Sequence, residues 1–400
     1  MTGFITKSLG ELTSIMTKGI APKYVEEESN STIVVLNQKC NRDFSISLEQ
    51  SRLNDCNKKA VSPERMLHKY DVLINSTGTG TAGRVAQLFN VPEPMTIDGH
   101  MILIRPTDEI DPIYYGYAVK AHQAEIEMLA EGSTGQTEIN RKRLSSEIMI
   151  SFPVDIESQK QIGELLYQID QKIWNNTAIN DNLYQQLDTI YRATYPYLPS
   201  DELPAGWNCV PLGTLCDSIS IKHSFDKEKL VFLNTGDVEN GHFLHSTYSL
   251  VQEMPGQAKK SIKTNDILYS EIRPINRHFA FVNFQADDYV VSTKLMVIRS
   301  REMDSRRLYH FLTTQDVINE LQIEAESRSG TFPQIRFENI QRLPIIIASP
   351  DIELQFTQIL KDYYNMIDSN ICENQHLATL RDSILPKLMS GEIDVSELDI

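Results

Sequence analysis

The chain repeats itself at an interval of about 195 to 203 residues, so any fold it adopts has to hold two similar units in tandem. Leu36-Asn37 in the first half is answered by Leu233-Asn234, and Asp71-Val72-Leu73 by Asp266-Ile267-Leu268. Ile169-Asp170 returns as Ile367-Asp368, and Leu9-Gly10 with Leu12 returns as Leu212-Gly213 with Leu215. Each copy runs in one order: a stretch rich in β-branched residues, a turn containing proline, then a long helical pattern. Two similar heads on similar stalks suit a protein that holds two related things at a fixed separation.

In the first copy, Thr32 to Leu36, Asp71 to Ile74, Met101 to Ile104 and Ile148 to Phe152 are predicted strands, with one or two helices between Pro112 and Ala130. From Ser158 to about Tyr195 the period lengthens: Ile162, Leu165, Ile169, Ile173, Leu183, Leu187 and Ile190 recur at helical spacing. A helix of about 35 residues extends about 50 Å. Trp174 with Asn175-Asn176 is expected to mark a bend or a register change in it. In the second copy, Leu230 to Leu233, Asp266 to Tyr269, Phe279 to Val282 and Leu295 to Ile298 are predicted strands, and Arg307 to Leu321 a helix. Pro344 suits an edge or a strand start. The second stalk begins near Asp351, is striped by Ile359, Tyr363, Ile367, Ile371, Leu377, Leu380, Ile384 and Leu388, and ends near Gly391.

Each stripe needs a partner. Antiparallel packing of the two stalks buries both, and a second protein on the same seam is the open alternative. The expected fold class is α+β: two duplicated mixed α/β domains joined by two long antiparallel helices.

Composition removes several classes of function. No apolar run approaches the roughly 20 residues that span a bilayer. Met1 to Ile20 lacks the charged-then-apolar order of a signal segment, so a cytoplasmic location is expected. The five cysteines form no CxxC pair, and reduced thiols are the expectation. The net charge of −16 is unevenly spread. Residues 351–400 hold ten Asp/Glu against three Lys/Arg (−7), whereas residues 259–307 hold ten Lys/Arg against six Asp/Glu (+4). Local potential governs a binding face, so nucleic acid stays admissible.

The segment Asn75 to Arg84, rich in Gly and Thr, follows a predicted strand but lacks the Lys-Ser/Thr of a Walker loop. It reads either as a plain surface turn or as a loop whose Asn75, Thr77, Thr79 and Arg84 contact phosphates and base edges. The matching place in the second copy, Ser270 to Arg277, carries Ser270, Arg273, Asn276 and Arg277 on the same frame. Arginine suits phosphate or guanine, and asparagine suits adenine. A third matched place, ahead of each stalk, offers Arg141 and Lys142 from the Gly135 to Arg143 segment and Arg336 from the Gly330 to Arg336 segment, with Ile139 and Ile335 as core. Lys259, Lys260 and Lys263 are expected to face phosphate or solvent. The nine histidines make no HExxH or comparable metal arrangement, and no glycine-rich cofactor motif or cluster of acidic metal ligands is legible. Recognition or scaffolding, rather than catalysis in this chain, is the expectation.

The sequence resembles the DNA specificity subunits of type I restriction–modification systems along its full length. The resemblance rests on Leu9-Gly10, Tyr70 to Leu73, the Ser76 to Arg84 loop, Leu203 to Trp207 followed by Pro211-Leu212-Gly213, Asp266-Ile267-Leu268 and the run from Ser383 to Ile393. It implies target-recognition domains at 1–158 and 198–352, long helices at 159–197 and 353–391, and an acidic tail at 392–400. It further implies that each domain reads one half of a split double-stranded DNA target. Two modification subunits would bind the helical region and methylate adenine with S-adenosylmethionine. Restriction subunits, where present, would bring ATP- and Mg-dependent translocation and cleavage. No cofactor is implied in this chain. Ile169, Ile173, Leu183, Ile367, Ile371 and Leu380 are the residues expected at the helix seam or against those partners.

Overall fold

Apolar runs of four to six residues bounded by turns become the central strands, and they appear in the same order twice. The computed structural model describes residues 3–131, 138–196, 202–328 and 332–393. Gly135 to Thr137, the Leu198 to Asp201 part of the linker, Gly330-Thr331 and residues 394–400 of the acidic tail lie outside the described residues. Two units emerge: Met1–Thr177 together with Ile371–Ile400, and Ala178–Asn370.

In the first unit an antiparallel sheet runs in the order Thr13–Lys18, Met101–Pro106, Val72–Asn75, Val85–Gln87. A second sheet pairs Met95–Ile97 parallel to Thr32–Leu36 and continues through Arg52–Asp55 to Tyr24–Val25. The helices here are α1 (Pro112–Ala121), α2 (Gln123–Met128) and α3 (Arg141–Glu147). The long helix α4 (Ile156–Thr194) starts in this unit.

The second unit repeats the first sheet as Cys216–Ile219, Leu295–Ser300, Ile267–Ser270, Phe279–Phe281. Its second sheet keeps the parallel pair, Lys229–Leu233 with Tyr289–Ser292, but flanks it with Tyr248–Leu250 and Ala258–Ser261. Its helices are α5 (Ser305–Thr313), α6 (Gln315–Arg328) and α7 (Phe337–Ile340), and α8 (Pro350–Met389) starts here. Asp111 and Asp304 cap α1 and α5 in the same way, each accepting from two backbone N–H groups of the first turn.

One expectation changes in detail. The helix expected over Arg307 to Leu321 is two helices, because Thr314 adopts an extended conformation between them. α4 passes Trp174 to Asn176 without a break. α8 continues through Pro386 to Met389, and Gly391 beyond it takes φ +75°.

Both units pair the stalk helices antiparallel. In the first, the buried Asp170 accepts from Tyr117 Oη at 2.6 Å and pairs with Arg381, while Asn176 donates to Glu373 at 2.7 Å and to Asn374 at 2.9 Å. Moving forward on α4 thus moves backward on α8. In the second unit Asn370 donates to Asn180 at 2.8 Å and Tyr363 to Gln186 at 3.0 Å, again in reversed order. Leu385, Leu388 and Met389 complete the core around Tyr114, Tyr115 and Tyr117 in the first unit.

A buried carboxylate stands at the head of each central strand. Asp71 receives a two-pronged contact from Arg105 (2.6 and 2.7 Å) and the His68 N–H at 2.7 Å. Asp266 receives the same from Arg299 (2.7 and 2.8 Å) and the Lys263 N–H at 2.9 Å. Such pairs stabilise only as complete sets, since removing one partner strands the other's charge. Asp266→Ala is therefore expected to cost about 3–5 kcal/mol, measured by urea unfolding of the full chain.

The second unit also buries Arg307 in a cage of Tyr195, Tyr191 and Phe356, with its guanidinium carbon 4.0 Å from the Tyr195 ring centre. Beside it lies His310, whose Nδ1 is 3.2 Å from the Tyr364 hydroxyl. Burial, reinforced by the Arg307 charge, pulls His310 down from 6.5 to about 4. Above pH 6.5 the ring is neutral in folded and unfolded chains alike. Between pH 6.5 and 4 only the unfolded chain takes up the proton, so stability falls as pH drops and levels below the folded value. The total is up to about 3 kcal/mol. His310→Leu is expected to flatten that window in chemical unfolding followed across pH.

Candidate nucleic-acid interface

The strand Val72–Asn75 delivers the chain into the first loop. Asn75 is buried: its amide donates to the Gln38 carbonyl at 3.2 Å, its side-chain oxygen accepts from Asn41 at 3.2 Å, and its N–H bonds the Arg84 carbonyl at 3.0 Å. Asn75 thus closes the base of the loop and is not presented at its surface. Thr77 accepts from Gln38 Nε2 at 2.6 Å and its hydroxyl lies 3.1 Å from His100 Nδ1. Thr79 and Gly80 are exposed at the tip, and the half-buried Arg84 donates back to the Gly80 carbonyl at 3.0 Å.

The Ile139 N–H bonds the Ser76 carbonyl at 2.8 Å and sets the start of α3 beside this loop. Asn140 caps α3 through the Lys142 N–H at 2.9 Å, leaving Arg141 and Lys142 exposed on its first turn. Lys18, Glu138, Asn140, Arg141, Lys142 and Ser145 line a shared concavity. Burial first, and the Arg141 charge second, hold Lys18 below the usual lysine range. Among residues far apart in sequence, the structure therefore gathers Thr77, Arg84, Arg141 and Lys142.

The second head repeats this wiring. Ser270 N–H bonds the His278 carbonyl at 2.9 Å and Ile335 N–H bonds the Glu271 carbonyl at 2.8 Å. Ser270 is buried like Asn75. The tip is a tight turn, Pro274–Asn276, flanked by Arg273 at φ +43° and Arg277 at φ +55°. Arg273 and Asn276 are exposed. Arg277 is half-buried, and its guanidinium is held by Asn240 at 3.3 Å and by Gln315. Arg336 stands exposed at the start of α7.

Several contributors were not singled out from the sequence. Gln38, Asn41 and His100 brace the first loop, and Lys294 and Gln334 (3.3 Å apart) flank the second. The repeated Leu-Asn at Leu36-Asn37 and Leu233-Asn234 is the one local sign of Gln38's setting. Lys259 and Lys263 are exposed, whereas Lys260 turns inward to the carbonyls of Thr293 (3.0 Å) and Leu295 (2.9 Å), and burial lowers its pKa. On the stalks, Ile169, Leu183 and Ile367 are buried, Ile173 and Ile371 are half-buried, and Leu380 is 49% exposed. Among the described residues, no group of three His, Cys, Asp or Glu side chains could hold a metal ion, and no helix is long and apolar enough to cross a membrane.

One frame is built twice, with a different tip on each copy. The chain belongs to the family of the type I restriction modification DNA specificity domain, whose profile matches residues 1–185 and 204–378. It is 39% identical over 181 residues to the type I restriction enzyme HindI specificity subunit of Haemophilus influenzae, a match spanning 44% of this chain and 39% of that protein. It is 23% identical over 333 residues to the MjaIX specificity subunit of Methanocaldococcus jannaschii, spanning 76% and 74% of the two chains. Its fold is similar to that of the type I restriction-modification S subunit from M. genitalium, with a TM-score of 0.54 at 15% identity over 97% of this chain and 96% of the other.

The first loop's geometry separates frame from tip. Gly83 has φ +92°, and a Cβ there would lie 2.7 Å from the Glu127 Cα and 2.9 Å from its nitrogen. Gly80 has φ +72° but open space around it. Gly83→Ala is expected to destabilise by about 2–5 kcal/mol, and Gly80→Ala by about 1 kcal/mol. Thermal unfolding of the two variants side by side checks the contrast.

Proposed function

We propose that this chain is the non-catalytic DNA-recognition subunit of a type I restriction–modification complex, reading a split target and positioning adenine methyltransferase and restriction subunits. One observation carries the reading: the hydrogen bonds that hold Ser76 and Glu271 against Ile139 and Ile335 are the same, while the tips they support differ chemically. A reader of two unlike half-sites needs that combination. Phosphate contacts from Arg141, Lys142 and Arg336 would set each head on the duplex, and Thr77, Thr79, Arg84, Arg273 and Asn276 would discriminate bases. Asn75, Ser270 and Arg277 would hold the loops in shape.

The paired helices would fix the spacing between half-sites, since about 1.5 Å of rise per residue has to match about 3.4 Å per base pair. Two modification subunits would dock on the helical region, where Leu380 offers an exposed apolar side chain. S-adenosylmethionine would belong to them, and ATP and Mg to restriction subunits.

Mapping adenine methylation after co-expression with the cognate modification subunit, against a control lacking this chain, tests the reading. A new split motif that depends on the chain supports it; none, from an active assembled complex, moves a protein-binding scaffold ahead. Arg273→Ala is expected to weaken duplex binding by about 5- to 50-fold and to lower the salt slope by about one where its contact is to phosphate. Titration over a salt series checks this, and an unchanged affinity counts against the assignment.

A further inference from the structure

The tip of the second head is a rigid turn that carries an exposed aliphatic group among cations. Pro274 is buried and anchors it, while Ile275 between Pro274 and Asn276 is 46% exposed. The turn is braced from several sides: Arg273 N–H to the Pro333 carbonyl (3.2 Å), Ile275 N–H to Gln322 Oε1 (3.1 Å), and Asn240 N–H to the Arg277 carbonyl (2.7 Å). Arg273 and Arg277 both occupy the left-handed region, which costs a non-glycine residue stability and persists only where the surroundings impose it. The first head makes its corresponding loop with glycines and threonines and places no large apolar side chain at the tip. Ile275 is thus held in place, and held only in one head.

No carboxylate lies between Ile272 and His278, and the neighbouring Glu271 carboxylate is 3.3 Å from the Lys294 ammonium. The helix under the turn does bring a carboxylate close, since Gln322 is bonded to Glu326 at 2.7 Å, but the exposed charge on the turn itself is Arg273, which suits an anionic surface that also offers an apolar contact. In the major groove of a DNA duplex, one group meets that description among the four bases: the 5-methyl of thymine. We infer that Ile275 reads thymine in the half-site of the second head, its side chain packing on the methyl while Arg273 and Asn276 bond neighbouring base edges or phosphate. The inference rests on the DNA-recognition reading above and names the base chemistry that this loop selects.

The test uses the chain assembled with its modification subunit and duplexes carrying the mapped methylation target. Each thymine in both half-sites is replaced singly by deoxyuridine, which keeps the pairing and removes only the methyl. The wild-type complex is expected to lose about four-fold in affinity at one thymine, the worth of one buried methyl-sized group, and in one half-site only. Ile275→Ala should show no further loss at that position while keeping wild-type sensitivity elsewhere, and Ile275→Val should fall between. Equal responses of wild type and Ile275→Ala at every thymine overturn the inference and leave DNA recognition standing. Absence of any chain-dependent target overturns both.

Discussion

A buried carboxylate gripped by an arginine on the adjacent strand is the interaction on which each head depends. Asp71 sits at the start of the strand whose far end opens into the Thr77 to Arg84 loop, and Asp266 holds the same place ahead of the Glu271 to Arg277 loop. Each acid also accepts the backbone N–H three residues earlier, so one side chain sets the turn into the strand and the register of its neighbour. Burying such a pair gains little over apolar packing. What it supplies is definition: only one arrangement satisfies both charges, and the strand then delivers its loop in one orientation.

Much of this was legible in the sequence, for reasons that differ by element. Asp71-Val72-Leu73 and Asp266-Ile267-Leu268 announced both central strands because apolar runs after a turn are local signals. The stalks were legible because a helical period held over ten turns is hard to mimic. Thr13–Lys18 and Arg52–Asp55 were not legible, since mixed polar strands become strands only by pairing with Met101–Pro106 and Thr32–Leu36. Thr314, which splits the helix expected from Arg307, carries no breaker chemistry of its own.

The site divides in the same way. The loops were found from their place after a strand, but the burial of Asn75 and Ser270 was not, because a polar residue at a strand end looks alike in sequence whether it points inward or outward. Gln38 and His100 reach the first loop from opposite directions along the chain; the repeated Leu-Asn marks only the setting of Gln38, and nothing local marks His100. Where the heads diverge, they do so in backbone chemistry as well as side chains: one obtains left-handed turns from glycine, the other imposes them on arginine through bracing from Gln322, Pro333 and Asn240.

The composition of the first unit bears on how the protein is made. The second unit is one continuous stretch, Ala178 to Asn370, whereas the first joins the beginning of the chain to its end. Leu385, Leu388 and Met389 belong to the core built around Tyr114 and Tyr117, and Gly391 lies against the ring of Phe4. During synthesis the first head therefore waits, with its apolar wall open, for residues made only after the whole of the second unit. The head encoded first is the one completed last, and a truncated chain would harm the head farthest away in sequence from the cut.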